Sequence, residues 1–101
     1  MIVVRYTWQN IPASHFEEAR KLWMEIGPPE SSVLRGVRDY LSKTGPGNTL
    51  ALEWEFDSLA DWEAFLSQFA AVPEYADKFR RWDELVPNAA TIEIWDLLES
   101  D

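Results

Sequence analysis

Apolar and polar residues alternate in four separate stretches of the chain, the pattern of a β-strand with one buried face. The clearest is LALEWEF, Leu50 to Phe56, in which the leucines, the tryptophan and the phenylalanine share one parity. We predict strands over residues 2–9, 33–41, 49–56 and 90–98. Gly36 lies inside the second strand and predicts a β-bulge. Apolar and polar residues occur at both parities of that strand, so the sequence does not decide toward which face of the sheet Arg35 and Arg38 point.

After the first strand, apolar residues recur every three or four positions, which predicts an amphipathic helix from about His15 to Ile26. Ser14 and Glu17 have the spacing of a capping box, in which the serine accepts from the amide at Glu17 and the glutamate reaches back to Ser14. Gly27 and two prolines follow, and they are expected to end the helix because glycine suits the position after the last turn.

The third strand runs directly into a second helical stripe of apolar residues. Asp57 or Ser58 is the expected N-cap of that helix. Pro73 interrupts the stripe and is expected to begin another helical segment, because proline is tolerated in the first turn. The letters KTGPGN, residues 43–48, predict a hairpin loop between the second and third strands.

These elements follow in the order β-α-β-β-α-β. Right-handed crossovers then place the third strand between the first and second, and the first strand between the third and fourth. We therefore predict an antiparallel sheet in the order 4-1-3-2 with the helices on one face, an α+β, ferredoxin-like fold in a single domain of residues 1–101. Four tryptophans have the parity or helical spacing of core residues: Trp8, Trp23, Trp54 and Trp62.

The other face of this sheet, which no helix covers, carries a mixture of side chains. Arg5 on the first strand is expected to lie between Glu93 on the fourth and either Glu53 or Glu55 on the third. Opposite charges on neighbouring strands stabilise a sheet by about 0.2–1 kcal/mol per pair. Small and apolar residues surround the charges: Val3, Thr7, Ala51, Thr91, Trp95 and Leu97. Such a mixture is typical of a wet interface or a pocket wall, and it predicts contact with a partner or a ligand.

Composition narrows the classes of function. The 101 residues are 47% hydrophobic and include six Trp and no Cys, which indicates a folded domain without disulfides or thiolate metal sites. Acidic residues outnumber basic ones 18 to 9, and the net charge of −9 repels nucleic acid, so no nucleic-acid partner is expected. The pattern of a signal peptide is absent and no apolar run approaches the roughly 20 residues of a membrane span, which predicts a cytoplasmic protein without a membrane partner.

The run from Ser58 to Leu98, SLADWEAFLSQFAAVPEYADKFRRWDELVPNAATIEIWDLL, resembles the C-terminal half of NIPSNAP-like domains. The shared pattern is Ser-Leu at the start of a helix, an alanine-rich turn into a Pro-Glu-aromatic segment, and a last strand that ends in leucines. The matching positions are Ser58-Leu59, Ala70-Ala71, Pro73-Glu74-Tyr75, Leu85-Val86 and Glu93 to Leu98. The chain departs from the pattern at Val72, where family members often have Asp.

The resemblance implies a homodimer. NIPSNAP-like domains belong to the dimeric α+β barrel superfamily, in which two ferredoxin-like units pack their open sheet faces together and enclose a cleft. The superfamily also includes antibiotic-biosynthesis monooxygenases, haem-degrading enzymes and polyketide cyclases. The haem-degrading members use a histidine on the second helix, whereas the one histidine of this chain, His15, lies at the start of the first. No haem, other cofactor or metal is therefore expected.

Catalytic residues are unknown, because no catalytic motif is present and the NIPSNAP-like family has none to transfer. Glu53, Glu55 and Glu93 are the candidates for acid–base chemistry. If a partner chain buries them, neighbouring carboxylates would raise one another's pKa, and Arg5 would oppose that shift. The alternative, which we favour, is a ladder of cross-strand salt bridges that stabilises a dimer interface.

Two functions from different classes stay open. The first is a homodimer that binds a small, partly aromatic organic molecule in the cleft, with cofactor-independent oxidation or cyclisation, as in a monooxygenase or cyclase, as the enzymatic alternative. Its predicted binding residues are Arg5, Thr7, Ala51, Glu53, Thr91 and Trp95. The second is a non-catalytic structural dimer. Trp95 fits both functions, since its ring can stack on an aromatic ligand or fill the interface.

Overall fold

A computed structural model describes residues 1–27, 31–42 and 48–98 of the protein. The elements in chain order are β1 (Ile2–Trp8), α1 (Phe16–Ile26), β2 (Gly36–Leu41), β3 (Leu50–Phe56), α2 (Leu59–Ala70), α3 (Pro73–Leu85) and β4 (Thr91–Asp96). Of the predicted hairpin loop, only Asn48 lies within the described residues.

The four strands form one antiparallel sheet in the order β2-β3-β1-β4, which confirms the predicted 4-1-3-2 arrangement. The fold is α+β and ferredoxin-like, and the helical part of the second crossover is divided into α2 and α3. The even-numbered residues of β1 and β3 pack against all three helices. One sheet face is therefore covered and the other is open, as the parity of the strands predicts.

The covered face holds two hydrophobic clusters. One joins β1 and β3 to α2 through the fully buried rings of Phe56 and Phe65. The other joins Leu50 to α1 and α3 around Leu22 and Trp82. The predicted core tryptophans all lie on this side: Trp54 is buried, and Trp8, Trp23 and Trp62 are partly buried against the clusters.

The start of α1 differs from the prediction. Its N-cap is His15, which makes no side-chain capping hydrogen bond, so the capping box of Ser14 and Glu17 is wrong. A backbone turn already satisfies the amide of His15, whose N–H donates to the carbonyl of Pro12 at 2.9 Å. The carboxylate of Glu17 instead accepts from Arg20 at 3.1 Å, a helical pair three residues apart.

The other helix ends follow the sequence pattern. Gly27 ends α1 with a φ of 50°, a left-handed conformation that glycine adopts without steric cost. Ser58 is the N-cap of α2, and its hydroxyl accepts from the amide of Asp61 at 3.2 Å. Pro73 is the first residue of α3, as predicted.

The second strand is shorter than predicted, because residues 33–35 precede β2 without strand structure. Gly36 does not mark a bulge; it forms a regular pair with Glu55 in the β2–β3 register. A Cβ at this position would lie 2.9 Å from Oε2 of Glu55, so glycine leaves room for that carboxylate. The sequence signal was real, but its cause is a close approach rather than an extra residue.

Candidate functional site

Three rows of side chains cross the open face, each with one residue from every strand in the order β2-β3-β1-β4. The charged row consists of Arg38, Glu53, Arg5 and Glu93. The small row consists of Tyr40, Ala51, Thr7 and Thr91. The tryptophan row consists of Gly36, Glu55, Val3 and Trp95. The charged row alternates in sign across the whole sheet, with Arg at β2 and β1 and Glu at β3 and β4.

Glu53 is the centre of the charged row. Its Oε2 accepts from Nε of Arg5 at 2.8 Å and also from Nη2 of the same guanidinium. Its Oε1 accepts from the Tyr40 hydroxyl at 2.9 Å and from Nε of Arg38 at 3.4 Å. These long side chains cover the carboxylate, which is why Glu53 is only 6% exposed on a face without helices. Both carboxylate oxygens are therefore fully occupied by protein donors.

The charge state of Glu53 follows from these contacts. Burial by itself raises the pKa of the carboxyl, but the hydrogen bonds from Arg5, Tyr40 and Arg38 outweigh burial and hold the pKa below its ordinary value. The same contact with Glu53 raises the pKa of Arg5, and Glu93 adds to that effect. In the single chain Glu53 is thus an ionised acceptor. The raised pKa that a proton donor needs is not found there.

Glu55 occupies the neighbouring position on the same strand but belongs to the tryptophan row. Its Oε1 accepts from Nη2 of Arg38, which therefore bridges Glu53 and Glu55. Hydrogen bonds to these two carboxylates raise the pKa of Arg38. The sequence left open whether Arg5 faces Glu53 or Glu55, and the register decides it: Arg5 pairs with Glu53, and Glu55 pairs with Val3.

The predicted binding residues divide between the rows. Arg5 and Glu53 lie in the charged row, whereas Thr7, Ala51 and Thr91 lie together in the small row. Trp95 lies in the tryptophan row with its side chain 53% exposed, and the charged row separates it from the small row. The structure therefore brings five of the six predicted residues together and places Trp95 at some distance from the three small ones.

Sequence reasoning missed two members of the network, Arg38 and Tyr40. The mixed parity of β2 concealed them, because Asp39 lies on the covered side where an apolar residue is expected. Its Oδ1 accepts from Nε1 of Trp23 on α1 at 2.8 Å, so this acidic residue belongs at the edge of the helix layer. The usable signal was the pairing of Leu41 with Leu50, since this register places Arg38 opposite Glu53.

Metal and histidine chemistry finds little support on either face. Within residues 1–27, 31–42 and 48–98, no three His, Asp or Glu side chains are grouped so that they could hold a metal ion. His15 lies in the helix layer, and its Nδ1 is 3.3 Å from the carbonyl oxygen of Leu85.

None of the described helices is long and apolar enough to cross a membrane.

Solved structures with the same fold cover the whole chain. An uncharacterised NIPSNAP domain protein from Burkholderia xenovorans is similar with a TM-score of 0.78 and 19% identity, over 97% of this chain and 95% of its own. A NIPSNAP family protein from Agrobacterium tumefaciens has a TM-score of 0.76 and 21% identity, over 100% and 95%. A candidate antibiotic biosynthesis monooxygenase from Deinococcus radiodurans has a TM-score of 0.75 and 16% identity, over 100% and 96%.

The similarity at these identities establishes the ferredoxin-like fold over the full length of the chain. The resemblance to NIPSNAP-like domains is confirmed in that such proteins are among its structural neighbours. No protein-family model and no curated protein matches the sequence. The geometry of the open face must therefore carry the functional argument.

Proposed function

We propose that this chain is a NIPSNAP-like protein, one domain of residues 1–101, that pairs with a second copy through the open sheet face and binds a small, partly aromatic organic molecule in the cleft between the copies. A cytoplasmic location remains part of the proposal. The observation that carries it is the alternating sign of the charged row. The row has an even number of charges, and this makes it complementary to itself.

A twofold axis parallel to the strands, between β3 and β1, brings opposite charges together. It places β2 over the partner's β4 and β3 over the partner's β1. Arg38 then faces the partner's Glu93, and Glu53 faces the partner's Arg5. A twofold axis across the strands would instead place like charges over each other. The pattern therefore favours a second copy of the chain as the occupant of the face, in this orientation.

The same axis gives the exposed tryptophan a partner surface. The tryptophan row places Trp95 over the partner's Gly36 and over the Glu55 carboxylate that lies beside this glycine. Exposed tryptophans are enriched among the strongest contacts of protein interfaces. Trp95 then serves the dimer, which is the second of the two roles that its sequence position allowed.

The small row provides the space for a ligand. In this arrangement Ala51 faces the partner's Thr7, and Tyr40 faces the partner's Thr91. Facing sheets lie about 10 Å apart. The short side chains of Ala51, Thr7 and Thr91 therefore leave a gap, whereas the longer side chains of the charged and tryptophan rows fill the space between the sheets. Threonine hydroxyls, the Tyr40 rings and the half-exposed Arg5 guanidinium would line that gap. This lining suits a partly aromatic molecule with oxygen atoms.

Charge reversal with mixing tests the pairing. Arg38→Glu alone and Glu93→Arg alone should each weaken the homodimer, because each places like charges in two equivalent contacts. An equimolar mixture should form a heterodimer, since one contact then has both charges reversed and the other is unchanged. Analytical ultracentrifugation of the two variants and their mixture measures this directly, and circular dichroism confirms that each variant is folded. Single variants that dimerise like the unchanged protein would contradict the proposed interface.

The ligand is tested separately, by thermal shift with a panel of aromatic polyketide-like and fatty molecules. Ala51→Leu should abolish the stabilisation by a ligand, because it fills the gap, while Val3→Leu in the tryptophan row should retain it. If no member of the panel stabilises the dimer, the structural dimer without a ligand is the better account.

An enzymatic function, cofactor-independent oxidation or cyclisation, has weaker support. Glu53 is ionised and fully hydrogen-bonded, and Glu55 accepts from Arg38. Glu93 is the remaining candidate, since no hydrogen bond to its side chain comes from the described residues. Turnover that is lost in Glu93→Gln but retained in Glu55→Gln would favour the enzyme.

A further inference from the structure

A second cavity lies on the opposite side of the sheet, between the strands and the helices. Its volume is about 170 Å³, enough for one small bicyclic molecule. Its lining includes Tyr6, Trp8, Trp23, Trp54, Leu66 and Phe79. Leu66 and Phe79 are also exposed, so the cavity reaches the surface between α2 and α3. None of the described residues that line it is charged.

Tyr6, one of the lining residues, carries an O–H group that donates to none of the described residues. The hydroxyl of Tyr6 accepts from Nε1 of Trp62 at 3.2 Å. Among the described residues no acceptor receives the proton of that hydroxyl. Burial raises the pKa of Tyr6, against the opposing effect of the Trp62 hydrogen bond, so the phenol stays protonated and keeps its donor.

The ring of Trp54 forms another part of the lining. It packs against Tyr6 at 5.3 Å and against Phe69 at 5.5 Å between centroids. Its Nε1 is fully buried without a hydrogen-bond partner in the described parts of the chain, so Trp54 offers a ligand its ring and not its N–H.

We propose that this inner cavity is a binding site for a neutral, planar aromatic molecule that carries one carbonyl-type acceptor, which accepts from the Tyr6 hydroxyl. The aromatic lining selects a flat apolar body, and the absence of charged lining residues disfavours an ionic one. The Tyr6 hydroxyl, a donor without an acceptor among the described residues, selects a molecule that accepts rather than donates. The site lies on the covered face, so it is separate from the cleft between the copies.

Coumarin is a suitable probe, because it is planar, neutral and bicyclic with one carbonyl acceptor; naphthalene is its control of similar size without an acceptor. The readout is the indole N–H signals in ¹H–¹⁵N spectra of the protein. Coumarin at millimolar concentrations or below should shift the signals of Trp54 and Trp23 and leave that of Trp95, on the open face, unchanged.

A matched pair of variants tests the hydroxyl of Tyr6. Tyr6→Phe should weaken coumarin binding about threefold to tenfold, the loss of one neutral hydrogen bond, and should not change naphthalene binding. Tyr75→Phe, the same substitution on α3 outside the lining of the cavity, should leave coumarin binding unchanged. Leu66→Trp blocks the mouth of the cavity from its exposed side and should reduce the binding of both molecules. This variant tests the site independently if Tyr6→Phe lowers the stability of the protein.

Three outcomes would overturn the proposal: no coumarin binding at millimolar concentration, equal affinities for coumarin in Tyr6→Phe and the unchanged protein, or a shift of the backbone amide signal of Thr91, in the small row, in place of the Trp54 signal. The last outcome would assign coumarin to the cleft and support the proposed function instead. The two sites are thus tested by the same spectra and fail independently.

Discussion

Arg5 lies directly opposite Glu53 in the pairing of β1 with β3, and its guanidinium donates to a single carboxylate oxygen from both Nε and Nη2. Replacing the acceptor leaves the donors on Arg5 and Arg38 without their charged partner. Glu53→Gln should therefore lower the free energy of unfolding by about 1–2 kcal/mol, a value reduced by the partial exposure of both arginines. Urea unfolding measures it. Glu63→Gln on the exposed side of α2 is the control and should change stability by less than about 0.5 kcal/mol.

The effect of Glu53 on stability should depend on pH in a defined direction. Its folded-state pKa lies below the ordinary value of 4.5, so its contribution is complete above that value and is lost as the pH falls through the folded-state pKa. The difference in stability between the unchanged protein and Glu53→Gln should be constant from pH 6 to 8 and shrink below about pH 4.5. Urea titrations at several pH values test this. A difference that grows in acid would mean that the carboxylate is not ionised in the folded chain.

Ser58 caps its helix in the structure, whereas Ser14, which is also predicted to be a cap, does not. Ser58→Ala should destabilise the protein by about 1 kcal/mol, because the hydroxyl accepts from the amide of Asp61 at the start of α2. Ser14→Ala should have an effect within about 0.5 kcal/mol, because no side chain caps α1. The chemical change is identical in both variants. Equal destabilisation in urea would contradict the cap assignment.

Trp95 should matter for association and little for the fold. Its side chain is more than half exposed in the single chain, so Trp95→Ala removes few intramolecular contacts. In the dimer we expect the same substitution to cost at least about 2 kcal/mol, near a thirtyfold rise in the dissociation constant. Sedimentation over a concentration series gives the constant. Leu98→Ala, at a far more exposed apolar residue, is the control and should leave the constant unchanged.

Much of the fold could be predicted from the sequence because its strands have clear parities. In β1 and β3 the even-numbered residues are apolar and large, so a single register satisfies both strands. The strand order then follows from the handedness of the crossovers. The start of α1 could not be predicted in the same way, because a backbone turn, in which the His15 N–H donates to the Pro12 carbonyl, makes His15 the N-cap in place of Ser14.

The open face could be predicted only in part. Arg5, Glu53 and Glu93 are on strands with clear parities, and their alignment in one row follows from pairing. Arg38 and Tyr40 are on β2, where Asp39 points to the helix layer because Trp23 donates to it. That contact joins an edge strand to the preceding helix across a separation of 16 residues. No local pattern in the strand reports it.

The central claim is that two copies of the chain pack together through the open face. Light scattering behind a size-exclusion column, at micromolar concentration and low salt, measures the mass in solution without any variant or ligand. A dimer has twice the chain mass of 11.7 kDa, which is about 23 kDa. We expect that value, with partial dissociation as salt screens the charged row. A single species at 11.7 kDa would contradict it.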